Sequence, residues 1–231
     1  MTIVKTIPVL DLEDFMQGNR AAAFVEQFGK ALAEFGFFVL VNHGVDQRLI
    51  DSAYGAAEAF FALSEETKKQ YEVAALHGQR GFTCFGKEHA KDSSAPDLKE
   101  FWHLGRERET KHPVAYPDNL WPREVPQFRP AMATLFDQLE ACADVLMRAC
   151  ARYLGQPEDF FATQVAEGQT ILRVIHYPPV PEEREPASQR AAPHEDINLI
   201  TLLCEATSPG LELKTRSGHW LPVQTIPGQI V

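Results

Sequence analysis

A histidine and an aspartate stand two residues apart in His194-Glu195-Asp196, directly after Pro193 and before an apolar run that begins at Ile197. Side chains alternate between the two faces of a β-strand, so on a strand this spacing places His194 and Asp196 on one side. One imidazole and one carboxylate are two of the three ligands of the 2-His-1-carboxylate site that holds non-haem Fe(II). The tripeptide is common, and a solvated surface pair is the alternative interpretation.

Segments with strand character surround this tripeptide. Residues 170–177 precede it, the run 197–205 continues from it, and residues 211–215 and 219–223 flank a turn at Arg216-Ser217-Gly218 that is typical of a hairpin. Residues 178–193 hold five prolines and several charges, which predicts a loop before His194.

The N-terminal part is predicted to be mostly helical. Apolar spacing predicts a helix after Asn19 that Gly36 ends, and Asp46 is a plausible N-cap for a second helix. Short strands are predicted in residues 7–12 and 37–41, a helical turn in 64–72, and a loop-rich stretch from about 76 to 128. Pro130 is predicted to start the strongest helix, which Gly155 ends.

Composition narrows the class of protein. The chain is 45% hydrophobic and 23% charged, which is ordinary for a globular protein, and its formal charge of −10 argues against a general nucleic-acid binder. No apolar run approaches the roughly 18 residues that cross a bilayer. Four widely spaced cysteines form no metal or disulfide pattern, so we expect reduced thiols, a cytoplasmic location and no membrane association.

Three separated blocks resemble one family. The blocks are residues 7–12 with Phe35-Gly36-Phe37-Phe38-Val39-Leu40-Val41-Asn42-His43-Gly44-Val45; Leu172-Arg173-Val174-Ile175-His176-Tyr177-Pro178-Pro179; and His194-Glu195-Asp196 with Gly210-Leu211-Glu212-Leu213 and Gly218-His219-Trp220-Leu221-Pro222-Val223. Arg80-Gly81-Phe82 and Pro96-Asp97-Leu98-Lys99-Glu100-Phe101-Trp102-His103 suit it too. The chain resembles the isopenicillin-N-synthase-like branch of Fe(II)/2-oxoglutarate-dependent dioxygenases, and among them the bacterial ethylene/succinate-forming enzymes.

The resemblance implies an α+β, mainly β fold: a double-stranded β-helix (jelly-roll) core behind a helical N-terminal region. The expected divisions are an N-terminal dioxygenase region (1–128), a long supporting helix and linker (129–168), and the first part of the jelly roll (169–231). Fe(II), 2-oxoglutarate and O2 are the implied cofactor and co-substrates.

The family pattern also predicts residues that this chain lacks. A second histidine ligand is expected roughly fifty to sixty residues beyond Asp196, with an Arg-x-Ser motif about ten residues further on. The chain has 35 residues after Asp196 and contains neither feature, so we expect a jelly roll that is incomplete at its C-terminal end. His219, in the predicted hairpin, is a less favoured substitute for the missing ligand. His43, His103 and His176 are interpreted as structural.

The resemblance gives roles to four further residues. A tyrosine at the position of Tyr177 can hydrogen-bond 2-oxoglutarate in the family, against the alternative of a plain core tyrosine. Arg173 is a candidate for a substrate or co-substrate carboxylate, and a structural salt bridge is equally consistent. Phe82 and Trp102 are candidates for the substrate pocket, although aromatic residues in such a segment more often belong to a core.

The predicted function is oxidation of a small molecule by hydroxylation, desaturation or ring closure, with release of succinate and CO2, and ethylene formation as one outcome. Two alternatives stay open at this point. One is an oxidase that does not use 2-oxoglutarate, as in isopenicillin N synthase, and the other is a truncated, non-catalytic fragment. A full-length enzyme is expected to be a monomer, and the 231 residues alone are expected to be inactive.

Overall fold

The computed structural model describes residues 6–89, 95–107, 117–184, 186–215, 218–224 and 226–231. These residues form two compact units, each made of separate stretches of the chain. The first unit contains residues 1–50, 135–167 and 198–231, and the second contains residues 51–134 and 168–197. Each unit combines separate stretches, whereas the sequence predicts three ranges that follow one another along the chain. Those ranges stay a prediction.

The first unit begins with a strand, two helices and a second strand. Strand β1 (Val9–Asp11) pairs in parallel with β2 (Val39–Val41), and helices α1 (Leu12–Met16) and α2 (Ala21–Glu34) lie between them in the chain. Asp11 caps α1 by accepting a hydrogen bond from the amide of Glu13. Both strands and α2 confirm the predictions for this part, whereas α1 is not among the predicted elements.

The rest of the first unit comes from the middle and the end of the sequence. It contains most of the long helix α5 (Phe128–Tyr153), the short helix α6 (Ala162–Val165) and an antiparallel hairpin of β6 (Glu212–Lys214) with β7 (Trp220–Pro222). The predicted long helix and hairpin are confirmed, although α5 starts two residues before Pro130. Two residues of the predicted hairpin turn, Arg216 and Ser217, lie outside the described residues.

The second unit contains a three-stranded antiparallel sheet in the order β3 (Gly81–Thr83), β4 (Glu100–Gly105), β5 (Ile171–His176). Most of helix α3 (Gln47–Phe61) and the short helix α4 (Glu65–Lys69) belong to this unit as well. Asp46 accepts a hydrogen bond from the amide of Arg48, which confirms its predicted role as an N-cap, and Ser64 caps α4 by accepting from the amide of Thr67. The unit contains a cluster of contacting aromatic rings, which are those of Phe60, Tyr71, Phe82, Trp102 and Phe128.

One sequence prediction is incomplete and another is wrong. The described part of the stretch from about 76 to 128 is loop-rich, as predicted, but it also supplies the unpredicted strands β3 and β4, and all six residues of β4 are buried. Glycines and prolines around these strands, together with charged residues inside them, conceal the strand pattern. The run 197–205 is predicted to be a strand, yet it has no regular structure, and Ile197 and Leu199 are exposed. Apolar residues form a strand only where a neighbouring strand pairs with them and covers their face.

Among the described residues, no helix combines the length and the apolar character that crossing a membrane requires.

Candidate active site

His194 and Asp196 lie close together, although not on a strand. Nε2 of His194 is 3.7 Å from Oδ1 of Asp196, and about half of each side chain is exposed to solvent. Both residues belong to the irregular segment after Pro193 in the second unit. The two side chains therefore meet as predicted, but the strand alternation that motivated the prediction does not bring them together.

The hydrogen bonding of His194 leaves one ring nitrogen free to bind a metal. Nδ1 lies 2.8 Å from the carbonyl oxygen of Ala192. A carbonyl only accepts, so Nδ1 carries the proton, and the neutral ring has its lone pair on Nε2, the nitrogen on the side of Asp196. Such a backbone hydrogen bond is the usual means of fixing the tautomer of a metal-binding histidine.

The pair fits two positions of an Fe(II) site. Two ligand atoms at roughly 2.1 Å from one metal and at right angles to each other are roughly 3.0 Å apart. The observed 3.7 Å needs only a small inward movement. An imidazole and a carboxylate that leave open positions for further ligands suit Fe(II). No group of three possible ligands occurs among the described residues, so no third candidate ligand joins this pair there.

His176 and His103 are held by neighbouring residues of the sheet. Nδ1 of His176 lies 2.8 Å from Oε1 of Glu100, which is itself paired with the buried Lys68, and its ring stacks on Phe61. His103 donates from Nδ1 to the carbonyl of Gly78 and accepts at Nε2 from Nε of Arg173. Burial and the charge of Arg173 lower the pKa of His103 from about 6.5 to about 4, so its ring is neutral. These contacts agree with the structural roles expected for both residues.

Arg173 forms a two-pronged salt bridge. Its two terminal nitrogens donate to the two carboxylate oxygens of Glu88 at 3.0 and 3.2 Å, and its guanidinium lies over the ring of Phe101. A substrate carboxylate would have to displace Glu88 to bind in the same way. The structural salt bridge, one of the two interpretations of Arg173, is therefore present, and a role with 2-oxoglutarate stays a prediction.

Tyr177 follows the last residue of β5 and is 37% exposed. Burial raises the pKa of its hydroxyl, and the charges of Lys99, Asp97, Arg173 and Glu88 act on it. The phenol is thus protonated at neutral pH and able to donate a hydrogen bond to an anionic ligand. Its proposed contact with 2-oxoglutarate stays a prediction.

Phe82 and Trp102 are completely buried in the aromatic core. Their rings contact Phe60 edge-on, with centroid distances of 5.8 and 4.8 Å. The indole nitrogen of Trp102 is buried and has no hydrogen-bond partner within the described ranges. Core packing accounts for both rings, and their lining of a substrate pocket stays a prediction.

Asp97 and Lys99 are functional candidates that the sequence analysis did not single out. Nζ of Lys99 contacts Oδ2 of Asp97 at 2.9 Å and Oε2 of Glu88 at 2.7 Å. Oδ1 of Asp97 accepts a hydrogen bond from the amide of Ala192, two residues before His194. The sequence separation of 95 residues hides this contact, and the only available signal is the place of both residues in a block that resembles the family.

Two family models match the chain and together span most of it. Residues 7–124 match the N-terminal region described as "non-haem dioxygenase in morphine synthesis N-terminal", and residues 168–231 match the 2OG-Fe(II) oxygenase superfamily. The chain belongs to the 2-oxoglutarate- and Fe(II)-dependent oxygenases, enzymes that use Fe(II), 2-oxoglutarate and O2. The family and the cofactors predicted from the sequence are thereby confirmed.

Several characterised relatives are similar over nearly the whole chain. Proline hydroxylase buaE of Petromyces alliaceus is 30% identical over 226 residues, which cover 93% of this chain and 69% of the relative. The 2-oxoglutarate-Fe(II) type oxidoreductase hxnY of Emericella nidulans is also 30% identical, over 97% of this chain and 68% of the relative.

Solved structures show the same similarity. A protein from Caulobacter crescentus assigned to the 2OG-Fe(II) oxygenase family is 38% identical with a TM-score of 0.84, over 98% of this chain and 73% of that one. A full-length protein of Neurospora crassa, solved in complex with α-ketoglutarate, is 27% identical with a TM-score of 0.85, over 100% of this chain and 73% of that one. These similarities support the mixed α/β fold and leave the predicted isopenicillin-N-synthase-like branch and ethylene formation untested.

Proposed function

We propose that this chain carries the first two Fe(II) ligands of an oxygenase that oxidises a small molecule, with His194 and Asp196 as those ligands. One observation carries the assignment. His194 is fixed by the Ala192 carbonyl in the tautomer that turns a free Nε2 toward the carboxylate of Asp196, 3.7 Å away. Half of each side chain is exposed, so a metal ion and its further ligands can reach both.

The protein residues bind and orient, and the metal supplies the oxidation. When bound, Fe(II) together with 2-oxoglutarate and O2 supplies an oxidative decarboxylation that yields succinate and CO2 while the substrate is oxidised. His194 contributes a neutral ligand and Asp196 an anionic one, which suits a site that leaves positions open. Tyr177, whose hydroxyl stays protonated, donates a hydrogen bond to 2-oxoglutarate.

Further parts of the proposal concern the fold and the third ligand. We infer a jelly-roll core, because structures of the family are similar to this chain at TM-scores of 0.84 and 0.85. We infer that the third ligand comes from outside the described residues. The absence of a three-ligand group there and the greater length of the relatives support this inference.

A small-molecule substrate, a monomer and a cytoplasmic location complete the proposal. Among the relatives, one is named a proline hydroxylase, and the similar Neurospora crassa protein has also been solved with thymine, which supports a small substrate. All four cysteines are free thiols, which is typical of a reducing compartment. Hydroxylation is the favoured outcome among hydroxylation, desaturation and ring closure, because one relative carries that activity in its name.

The test is an anaerobic titration with Fe(II) and 2-oxoglutarate on the 231-residue chain, followed by succinate release in air. We expect weak iron binding, since the described residues supply two ligands, and we expect His194→Ala and Asp196→Ala each to abolish it. Glu195→Gln is the matched control: it lies between the two ligands, is exposed, and should bind as the unmodified chain does.

Two results would contradict the assignment. Iron binding or succinate release that survives unchanged in His194→Ala or Asp196→Ala would show that these residues are not ligands. A strong charge-transfer band with one iron per unmodified chain would show that another residue completes the site, and His219 would then be the first residue to replace.

A further inference from the structure

Four charged side chains of the second unit form one compensated cluster. The cluster consists of Glu88, Asp97, Lys99 and Arg173, and two ions of each sign make it neutral. Asp97 and Lys99 are almost completely buried, with 3% and 5% of their side chains exposed. A buried charge is costly unless it is paired and hydrogen-bonded, so each of these contacts has a reason to persist.

The geometry around Lys99 uses only one oxygen of Asp97. Nζ of Lys99 bridges Oδ2 of Asp97 and Oε2 of Glu88, while Arg173 binds both oxygens of Glu88. Burial acts to lower the pKa of Lys99, but its hydrogen bonds to Glu88 and Asp97 raise it overall, so the ammonium stays charged. Lys99 therefore fixes the orientation of the Asp97 carboxylate and leaves its other oxygen for a different partner.

The second carboxylate oxygen of Asp97 is connected to the proposed ligand His194 by two hydrogen bonds. Oδ1 of Asp97 accepts from the amide of Ala192 at 2.9 Å, and the carbonyl of the same Ala192 accepts from Nδ1 of His194 at 2.8 Å. Asp97 thus binds the amide of Ala192, the residue whose carbonyl accepts from Nδ1 of His194 and so fixes the tautomer of the ring. His194 and Asp196 are exposed to solvent. The two hydrogen bonds through Ala192 therefore hold His194 in place within an exposed segment.

We propose that Asp97, oriented by Lys99, is a positioning residue that holds Ala192 so that His194 presents Nε2 to the metal. The inference rests on the proposed role of His194 as a ligand only for its effect on metal binding, because the effect on the imidazole tautomer requires no metal. Loss of a group that orients a metal ligand typically weakens metal affinity by about 10- to 100-fold.

A purely structural role for Asp97 is the competing explanation. The loop that contains Ala192 has a second attachment, since the amide of Leu98 donates to the carbonyl of Gln189 at 2.7 Å. That bond lies five residues from His194 and does not touch the Ala192 peptide groups. Variants can therefore keep the loop attached while they remove the acceptor for Ala192.

The variants are designed as a matched pair of double substitutions. Asp97→Leu/Lys99→Met removes one ion of each sign, so the remaining Glu88 and Arg173 still compensate each other, and replacement of a buried ion pair by apolar residues is often tolerated. Asp97→Asn/Lys99→Met also lacks both charges but keeps an oxygen that can accept from Ala192. The two double variants differ only at residue 97. The asparagine there has an oxygen that can accept from the amide of Ala192, and the leucine has none. Glu100→Gln, in the other buried ion pair of this unit, controls for general loss of stability.

The first measurement is the tautomer of His194 in the metal-free chain, by long-range ¹H–¹⁵N correlation NMR with the His194 signals assigned from His194→Ala. We expect the Nδ1-protonated form in the unmodified chain, in Glu100→Gln and in Asp97→Asn/Lys99→Met. We expect the mixed tautomers of a free imidazole in Asp97→Leu/Lys99→Met. An unchanged tautomer in that variant would overturn the proposal, and so would loss of the tautomer in the Asn variant.

The second measurement is the Kd for Co(II), an air-stable probe for the same ligands. We expect the Kd of Asp97→Leu/Lys99→Met to be about tenfold higher than that of Asp97→Asn/Lys99→Met. Equal values would overturn the effect on the metal. If Co(II) binding does not depend on His194, the ligand assignment fails, while the tautomer still decides whether Asp97 positions the ring.

Discussion

Strand β4 and the segment that carries His194 belong to the same unit and are built in opposite ways. All six residues of β4 are buried, and its polar side chains are paired: Glu100 with Lys68, and the neutral His103 with Arg173. The segment from His194 to Ile197 is exposed along its whole length and has no regular structure. The amide of Ala192 donates to Asp97, and the amide of Leu98 donates to the carbonyl of Gln189. These two hydrogen bonds connect the loop before this segment to the residues just before β4.

The comparison indicates that the residues that stabilise this unit differ from those proposed to bind the metal. Buried aromatic and paired ionic groups hold the sheet together, while the two proposed metal ligands, His194 and Asp196, are exposed to solvent. Ligand-binding segments are commonly drawn from the less stable parts of a fold. Substitutions in β4 should therefore change the free energy of unfolding, and substitutions near His194 should change binding with little effect on stability.

Trp102→Ala is expected to have the largest effect on stability. The side chain is completely buried and its ring contacts those of Phe60, Tyr71 and Phe128, so truncation removes these contacts and leaves a cavity. We expect the free energy of unfolding to fall by about 3–5 kcal/mol. Urea denaturation followed by circular dichroism measures it, and a loss below about 1 kcal/mol would show that the aromatic core is not the main support of this unit.

A second prediction concerns acid stability. The pKa of His103 is about 4 in the folded protein and about 6.5 in an unfolded chain, so between these values the unfolded state binds more protons. The stabilisation is therefore fully present above pH 6.5 and is lost as the pH falls toward 4, by about 3 kcal/mol in total.

The test compares the pH dependence of unfolding in the unmodified chain and in His103→Gln. Between pH 6.5 and 4 the free energy of unfolding should fall less steeply in the variant than in the unmodified chain, because the variant lacks the titration of His103. This holds whatever the stability of the variant is at neutral pH. Equal slopes would mean that burial and Arg173 do not depress the pKa of this histidine.

Tyr177→Phe is expected to affect binding alone. Removal of the hydroxyl deletes one hydrogen bond to 2-oxoglutarate, a loss of about 1 kcal/mol or somewhat more. The Kd for 2-oxoglutarate, measured anaerobically with excess Fe(II), should rise by about tenfold while iron affinity is unchanged. Tyr153→Phe, at an exposed tyrosine of the first unit, is the matched control. Weaker iron binding with unchanged 2-oxoglutarate binding would contradict the assigned role.

Ile197→Ser is expected to have the smallest effect. Ile197 follows the proposed ligand Asp196, and its side chain is fully exposed at 103%. Exposed substitutions of this kind usually change stability by less than about 0.5 kcal/mol. The same urea titration checks it. A loss comparable to that of Trp102→Ala would show that the segment is packed in solution and that the contrast with β4 does not hold.

The sequence predicts those elements whose signal is local. Helix α5 and the N-cap at Asp46 depend on neighbours within a few positions, and these predictions are confirmed. Strand β4 is not predicted because the partners of its polar residues lie far along the chain: 32 positions separate Glu100 from Lys68, and 70 positions separate His103 from Arg173. No local pattern distinguishes a buried, compensated charge from an exposed one.

The candidate site shows the same limit. The proximity of His194 and Asp196 follows from their spacing of two residues, although the strand expected to produce it is absent from this described segment. The support from Asp97 could not be foreseen, because it passes through the backbone of Ala192 and joins residues 95 positions apart. Residue types thus predicted the candidate ligands, whereas the proposed role of Asp97 depends on a tertiary contact.

The pairing of Leu40 with Ile230 has a consequence for how the protein is made. The two residues exchange backbone hydrogen bonds on one edge of β2, and 190 positions of sequence separate them. A ribosome adds roughly 5–20 residues per second, so Ile230 is synthesised roughly 10–40 seconds after Leu40. During this interval the edge of β2 lacks the partner that Ile230 provides. An unpaired strand edge invites pairing with other chains. The nascent chain should therefore depend on chaperones most strongly during this interval, before its last described residues emerge.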